Sequence, residues 1–570
     1  MKKNYKLYDV PRIDSIQDMV VKSAQRYGPK LALEDLNDTP LGKLTFRELL
    51  DKILLFGSAL KELGIKERTH VALIGENRAQ WSISYLTLMC FNCVVVPIDK
   101  NLTSNEVINI IHESDAEAII FSGSYAGMIA ESKNSLKKLK NFICMDKTGE
   151  EKDFRYMVDL INKAKPISES QLPIINSGDL AEIIFTSGSL GRAKGVMLSQ
   201  KNLASNLVAM VSMLLITESD RFLSVLPIHH TYECTCGMLC PLYCGASVHY
   251  ARSLKTVVDD LQKVKATVLL AVPLLYDKMF KRIMSGIRED KLKSFIVPPL
   301  VKLSNLVALV GFKEFKKTLF HELHSKFGGS IRVFIAGGAA PDPMVAKGLR
   351  EFGFNFVQGY GLTETSPILT LNRLDGFKDN AAGLPLPGVE LKISYPDENG
   401  SGEIWVKGPN VMLGYYKNEK ATDDAFLNNW FKTGDIGFID DDGFLHINGR
   451  KKNVIISKSG KNVFPEEIED VLVRSPFILE CLVFGEEDAK QGEIISAQIV
   501  VDAEAFISMS ESEQIQITED LIHKKINEEI EKTNKELTSY KQIKKFYLRE
   551  KEFEKTTTQK IKRYLVQSGN

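Results

Sequence analysis

The sequence predicts an α/β protein with three parts: a large N-terminal domain on parallel sheets, a small β-rich subdomain, and an α+β C-terminal domain. Three observations carry that prediction. Apolar runs of strand length alternate with helical patterns through the first two thirds of the chain, the texture changes after Gly383, and a compact mixed pattern follows Gly449. At 570 residues the chain is also too long for one hydrophobic core, so more than one domain is expected.

The first region holds Val71–Ile74, a helical pattern over Trp81–Phe91, then Val94–Pro97. Ala118–Phe121, Ile183–Phe185, Phe222–Leu226, Val268–Val272 and Ile331–Ala336 keep the same rhythm. Continuous apolar strands separated by helices indicate a largely parallel sheet covered on both faces. After Gly383, Leu391–Ile393, Glu403–Val406 and Phe444–Ile447 are short strands set between Gly, Asp and Asn turns, which reads as the β-rich subdomain, about 383–449. Beyond Gly449-Arg450-Lys451-Lys452 the pattern is a helix Pro465–Val473, strands Cys481–Phe484 and Ile494–Val501, a helix near Ile517–Thr533 and a strand Ile543–Leu548. The expected boundaries are therefore 1–449 and 450–570.

Lys+Arg and Asp+Glu balance at 73 each, which removes the global basic field of a nucleic-acid binder. Met1-Lys2-Lys3-Asn4-Tyr5 leads into no apolar stretch of signal-peptide length, and no window has the ~18 apolar residues of a spanning helix. The expectation is a cytoplasmic protein, with membrane association at the surface left open. Eight cysteines suit a reducing compartment. Cys90-Phe-Asn-Cys93 has redox spacing but lies in apolar surroundings, and Cys236, Cys240 and Cys244 recur every four residues as small buried residues on one helix face do. Residues 278–326 carry eleven Lys/Arg against four Asp/Glu around an apolar centre. They read either as solvated surface helices or as a peripheral membrane contact.

The strongest local signal is Ile183-Ile-Phe-Thr-Ser-Gly-Ser-Leu-Gly-Arg-Ala-Lys-Gly-Val196. A buried strand enters a loop with Thr186, Ser187, Gly188, Ser189, Gly191 and Lys194, where glycines let backbone N–H groups approach phosphate and the hydroxyls and lysine add donors. Walker spacing is absent. Three further motifs hold carboxylates and cations: Gln358-Gly-Tyr-Gly-Leu-Thr-Glu-Thr-Ser-Pro367, Lys432-Thr-Gly-Asp-Ile-Gly437 and Gly449-Arg-Lys-Lys-Asn-Val-Ile455. Lys555-Thr-Thr-Thr-Gln-Lys-Ile-Lys-Arg563 closes the chain.

In this order and at these separations the motifs resemble the adenylate-forming (AMP-binding) superfamily, over about Gln17 to Arg563. Leu226-Pro-Ile-His-His-Thr-Tyr-Glu233, the run from His324 to Pro341 and Gly460-Lys-Asn-Val-Phe-Pro-Glu-Glu-Ile-Glu469 are similar to the long-chain fatty acyl-CoA synthetase branch. The resemblance implies an ATP-dependent fatty acid–CoA ligase. A carboxylate, already ionised near pH 7 with a reference pKa of roughly 4, attacks the ATP α-phosphate without a general base, and a thiolate then expels AMP. It implies ATP, Mg²⁺ and coenzyme A as cofactors and co-substrates, and a fatty acid as substrate. The alternatives are an acyl-AMP ligase, a ligase for an acyl carrier protein, and an inactive nucleotide-binding regulatory protein.

Carried over residue by residue, the resemblance puts the 186–194 loop on the β- and γ-phosphates, Glu364 on Mg²⁺ and Thr363 on a phosphate oxygen. Gly338, Ala339 and Tyr360 frame adenine; Asp435 takes the ribose hydroxyls; Arg450 supports ribose or phosphate; Lys560 bridges acyl carboxylate and α-phosphate. His230 belongs to the catalytic strand-end motif, Lys452 stands at the hinge about which the C-terminal domain of this superfamily turns, and Gly460 faces pantetheine. Cys236, Cys240 and Met238 are candidates for the acyl tunnel or the core beside it. The chain departs from the family pattern at Leu190 (usually Thr), Ala193 (usually Pro), Leu274 (commonly Arg) and Gln559 (usually Gly). The lost Thr hydroxyl alone removes a phosphate hydrogen bond of about 1–3 kcal/mol.

Overall fold

A computed structural model describes residues 5–147, 153–186, 193–309, 311–312, 314–456, 461–488, 492–556 and 560–567. The chain divides into two compact units. The first takes residues 1–390, 406–431 and 441–444; the second takes 391–405, 432–440 and 445–570.

The first unit is α/β and rests on two large sheets. One has eight strands in the order Gly414–Tyr415, Lys194–Ser199, Leu180–Thr186, Val94–Ile98, His70–Ile74, Ala118–Phe121, Asn141–Cys144 and Arg155–Tyr156. Its strands run parallel from 180–186 through 155–156, whereas 194–199 returns antiparallel to 180–186. The second has nine strands, with a parallel centre of Phe356–Gly361, Val333–Ala336, Val268–Ala271, Arg221–Ser224, Ser247–Tyr250 and Leu31–Asp35. These strands are short Val/Ile/Leu/Phe runs buried on both faces, the composition that parallel sheets need once helices cover them. The covering helices begin where the sequence supplies caps. Thr45 with Glu48 starts helix Phe46–Glu62, and Thr103 with Glu106 starts helix Ser104–Glu113, each with a reciprocal capping box.

In the second unit, strands Glu390–Ser394, Gly402–Lys407, Trp430–Ile439 and Leu445–Arg450 belong to a five-stranded sheet. The strand Ile478–Asp488 pairs antiparallel with Gly492–Val501, which pairs parallel with Lys545–Arg549. Helices Pro465–Leu472, Ala503–Glu513 and Glu519–Glu536 accompany that sheet, over a core that includes Ile468, Val483, Ile499, Phe506 and Ile526.

All eight cysteines are free and buried. Burial pushes the Cys93 thiol up to about 12 and Cys90 higher still, so the Cys90/Cys93 pair offers no thiolate for redox work. The four-residue recurrence of Cys236, Cys240 and Cys244 falls on an unforeseen element. Tyr232–Leu239 is a π-helix that passes into the α-helix Cys240–Cys244, a form concentrated at functional positions. Among the described residues no helix is long and apolar enough to cross a membrane.

Candidate functional site

In the first unit, four parallel strands of the second sheet end side by side and carry the predicted residues on their carboxyl ends, where ligands of open α/β sheets bind. After Val333–Ala336 the chain turns through Gly338, at φ +86°, and both Gly338 and Ala339 are exposed. A Cβ on Gly337 would meet the Tyr232 ring at 2.5 Å, so glycine there is a packing requirement. Tyr360, half-buried, lies on the neighbouring strand, with Ala336 opposite Gln358 in the parallel register.

The turn after Tyr360 is held from several sides. Gly361 has no room for a side chain, because a Cβ would fall 1.8 Å from the Pro367 carbonyl oxygen. The Asn410 amide donates to the carbonyls of Thr365 (2.9 Å) and Ile368 (3.0 Å). This fixes the 3₁₀ turn Thr363–Thr365, on which Thr363 and Glu364 are half-buried. The Tyr415 hydroxyl donates to Glu364 Oε1 at 2.9 Å, and Lys194 Nζ lies 4.9 Å from the centre of the Tyr415 ring. Lys194 in turn faces Thr186 across the antiparallel pair, with Thr186 Oγ1 3.5 Å from the Lys194 carbonyl. Tyr415, which contacts both Glu364 and Lys194, was not named by sequence reasoning; its short strand pairs with Lys194–Ser199 from more than two hundred residues away. The phosphate-loop residues Ser187, Gly188, Ser189, Leu190 and Gly191 lie outside the described residues, as do Gly460 and Gln559.

The His229-His230 segment follows the strand Arg221–Ser224. Asn77 pins its approach, donating to the Leu226 carbonyl (2.6 Å) and accepting from the Ile228 N–H (3.1 Å). His230 is half-buried, while His229 is 4% exposed, stacks obliquely on His230 at 4.3 Å and places Nε2 3.5 Å from Asp99 Oδ1. Asp99, His229 and His230 bring ligand atoms within 4.8 Å of one another, the single such group among the described residues. Sequence reasoning had named only His230; Asp99 comes from the other sheet.

Below the His segment, burial raises the Glu233 carboxyl from 4.5 to about 8. Glu182, on the strand that leads to Thr186, is likewise raised to about 8 by burial, against the opposing hydrogen bond from Tyr85 (3.3 Å). A small apolar cavity of about 40 Å³ is lined by Met210, Leu214, Tyr232, Cys236, Cys240 and Ile335 among others. Cys236 and Cys240 therefore face the cavity, and the Cys236 thiol lies 3.6 Å from Met210 Sδ. Met238 turns to the core instead, accepting from the Ser82 hydroxyl at 2.8 Å.

The second unit gathers the remaining candidates. Asp435 and Arg450 are register partners across a hairpin; Asp435 is 4% exposed and its Oδ1 lies 2.8 Å from Arg450 Nε. The intervening geometry depends on Gly434 at φ +72° and on the Thr433 hydroxyl, which accepts from the Asp435 N–H at 3.1 Å. Lys452 follows on a 3₁₀ turn, its pKa lowered first by burial and then by Arg450 and Arg563. Lys560 is held by a small hairpin: Lys555 bridges Ile561, the Thr556 N–H donates to the Lys560 carbonyl (2.8 Å), and the Lys560 N–H donates to Thr556 Oγ1 (3.2 Å). The Lys560 side chain reaches solvent. Desolvation by the surrounding protein, then the like charge of Arg450, still lowers its pKa, with Asp435 opposing. Arg563 anchors the end of the segment, donating to the Val483 carbonyl at 3.0 Å and pairing with Glu469, whose carboxyl burial raises to about 7.

Comparison with known proteins defines the class. The model of the AMP-binding enzyme family matches residues 20–416, and that of the AMP-binding enzyme C-terminal domain matches 467–560. The chain belongs to the AMP-binding enzyme family. Its relatives place it on the long-chain acyl-CoA synthetase branch. The long-chain-fatty-acid–CoA ligase FadD15 of Mycobacterium bovis is 28% identical, with 88% of this chain and 84% of that protein covered. The long-chain-fatty-acid–CoA ligase 1 of Cavia porcellus is 30% identical, with 83% and 71% covered. An Arabidopsis thaliana chloroplast protein, long-chain-fatty-acid–[acyl-carrier-protein] ligase AEE15, is 29% identical, with 84% and 76% covered. Among solved structures, an ATP-bound RpMatB-BxBclM chimera superposes with a TM-score of 0.77 at 25% identity, covering 97% of this chain and 98% of that one.

Proposed function

We propose that this chain joins a fatty acid to coenzyme A in two steps, at the cost of ATP cleaved to AMP and pyrophosphate. A carboxylate oxygen attacks the α-phosphorus and pyrophosphate leaves; the CoA sulfur then attacks the acyl carbonyl of the acyl-adenylate and AMP leaves. Neither step needs a strong protein base. The residues align the reactants and neutralise the charge that develops on phosphorus and pyrophosphate. The observation that carries the reading is the Lys194–Tyr415–Glu364 arrangement: a cation and a carboxylate held by one tyrosine beside the strand-end turn of Gly338, Ala339 and Tyr360.

In this reading Thr186 and Lys194 hold the terminal phosphates together with Ser187, Gly188, Ser189 and Gly191, and Thr363 donates to a phosphate oxygen. Glu364, with substrate phosphates, fits Mg²⁺, which is commonly held by one or two carboxylates plus phosphate oxygens and water. The ion would neutralise phosphate charge. Gly338, Ala339 and Tyr360 frame adenine; Asp435 binds ribose, with Arg450 restraining its carboxylate; Lys560 donates to the acyl carboxylate and the α-phosphate. His230 borders the acyl carboxylate, and Gly460 and Lys452 serve the thiol step. The acyl tail enters beside Cys236 and Cys240. At about 40 Å³ the cavity there is far smaller than the ~150 Å³ that admits benzene, so side chains of its lining must shift to admit a chain.

The plant relative's name supports a second acceptor, an acyl carrier protein in place of CoA. Fatty-acid-dependent ATP–pyrophosphate exchange across graded chain lengths, followed by addition of CoA or of acyl carrier protein, separates the readings. Exchange with thioester on CoA is the expected result. Thioester on carrier protein alone would replace CoA as the acceptor, and ATP binding without exchange for any acid would overturn the enzyme reading.

A further inference from the structure

Helix Lys291–Leu309 has two apolar faces where a surface helix has one. Its inner face is accounted for: Val297 and Val301 pack, with Met279 and Ile283 of helix Pro273–Glu289, against the core of the second sheet. Ser304 is buried on the same side, and Lys316 Nζ reaches Asn305 Oδ1. The helix is thus seated by one side, and the opposite side faces solvent. That side carries Leu292 (67% exposed), Phe295 (82%), Ile296 (40%), Leu303 (50%) and Leu306 (63%), with Pro299 also exposed. At about 3.6 residues per turn these six positions fall within an arc of about 100°, so they form one continuous stripe along the outer face. Phe312, at 68% exposure, follows the helix.

The same helical geometry sets Lys291 and Lys302 along one border of the stripe and Lys293 along the other, and all three are exposed. The local charge is unlike that of the molecule. Residues 278–326 hold eleven Lys/Arg against four Asp/Glu, whereas the whole chain has a formal net charge of zero. An apolar stripe bordered by lysines on a helix lying flat on the surface is the form that settles into the boundary between headgroups and acyl chains of an anionic bilayer. A protein partner would supply the apolar contact as readily, but the excess positive charge around the stripe favours an acidic headgroup layer.

We propose that the outer face of helix Lys291–Leu309 is a docking surface for an anionic lipid bilayer, with the Leu292–Leu306 stripe entering the interface and the flanking lysines meeting acidic headgroups. The proposal concerns a surface and goes beyond the reaction assigned above. Its test is flotation of the full-length protein with vesicles of phosphatidylcholine alone or mixed with phosphatidylglycerol, at low and high salt. Phe295→Asp with Leu306→Asp removes the stripe, and Lys291→Glu with Lys302→Glu reverses its border. Both pairs are exposed, and thermal melting checks that each variant is folded.

The expected results are binding to the anionic vesicles that weakens with salt, a loss of about tenfold or more in the Asp pair, and loss of the anionic preference in the Glu pair. Binding by the folded Asp pair equal to wild type overturns the proposal, as does wild-type protein that floats with neither vesicle. A concentration-dependent dimer that the Asp pair abolishes, with no lipid binding, assigns the face to a second copy of the chain instead. Pyrophosphate exchange, measured without lipid, stands or falls separately.

Discussion

Glu182 is carried into the interior of the first unit at 1% exposure, with Tyr85 as its hydrogen-bond donor and no hydrogen-bond partner for Oε1 among the described residues. Burial raises its carboxyl from 4.5 to about 8. Between those values the folded chain keeps a proton that the unfolded chain has released. Stability from this group is therefore complete below pH 4.5 and declines as pH rises towards about 8. At about 1.4 kcal/mol per pH unit, the loss between about pH 5 and about pH 7 is about 3 kcal/mol. Glu182→Gln keeps the shape and the acceptor for Tyr85 and removes the titration. The wild type should therefore fall behind the Gln variant by about 2–3 kcal/mol more at about pH 7 than at about pH 5. Denaturant unfolding followed by tryptophan fluorescence, with Trp405 and Trp430 replaced by Phe in both proteins, leaves Trp81, which stacks on Tyr85 at 5.4 Å, to read the affected unit. Glu233 titrates over the same range in both proteins, so the difference between them isolates Glu182. A difference that stays flat across the window would refute the reasoning, and so would a variant that is less stable than wild type at neutral pH.

Lys560→Ala should lower pyrophosphate exchange by about a hundredfold or more while leaving the melting temperature unchanged, because the side chain is exposed; exchange near the wild-type rate sinks the assignment. The lowered Lys560 pKa means that its positive charge is lost at a lower pH than for an ordinary lysine. The alkaline fall in exchange should come correspondingly early and disappear from whatever activity Lys560→Arg retains. Asp435→Ala should raise the KM for ATP about tenfold or more, since a buried charged acceptor is lost, and an unchanged KM would remove Asp435 from the nucleotide site. Gly361→Ala drives a methyl into the Pro367 carbonyl and should destabilise the first unit by about 1–3 kcal/mol, read as a lower melting temperature.

The alternation of apolar runs made the parallel sheets legible, because a strand buried on both faces has to be continuously hydrophobic. The candidate motifs around Thr186, Thr363, Asp435 and Lys560 stood out as well, since each gathers its polar and glycine residues within a few consecutive positions. What depended on distant pairing stayed hidden. Tyr415 reaches Glu364 only because a two-residue strand joins the edge of the first sheet, and Asp99 meets His229 from a different sheet. No local pattern marks either residue.

Residue type and order therefore determined by themselves the fold class and the family, and they singled out the stretches to which the proposed chemistry is assigned. Only the tertiary structure decided that Cys236 faces a cavity while Met238 faces the core, because helix phase alone does not name the neighbour on each side. It also decided that helix Lys291–Leu309 leaves one apolar face in water. Apolar residues lie on both sides of that helix, Val297 and Val301 on one and Leu292, Phe295 and Leu306 on the other, and which side is buried depends on the surface against which the helix comes to rest.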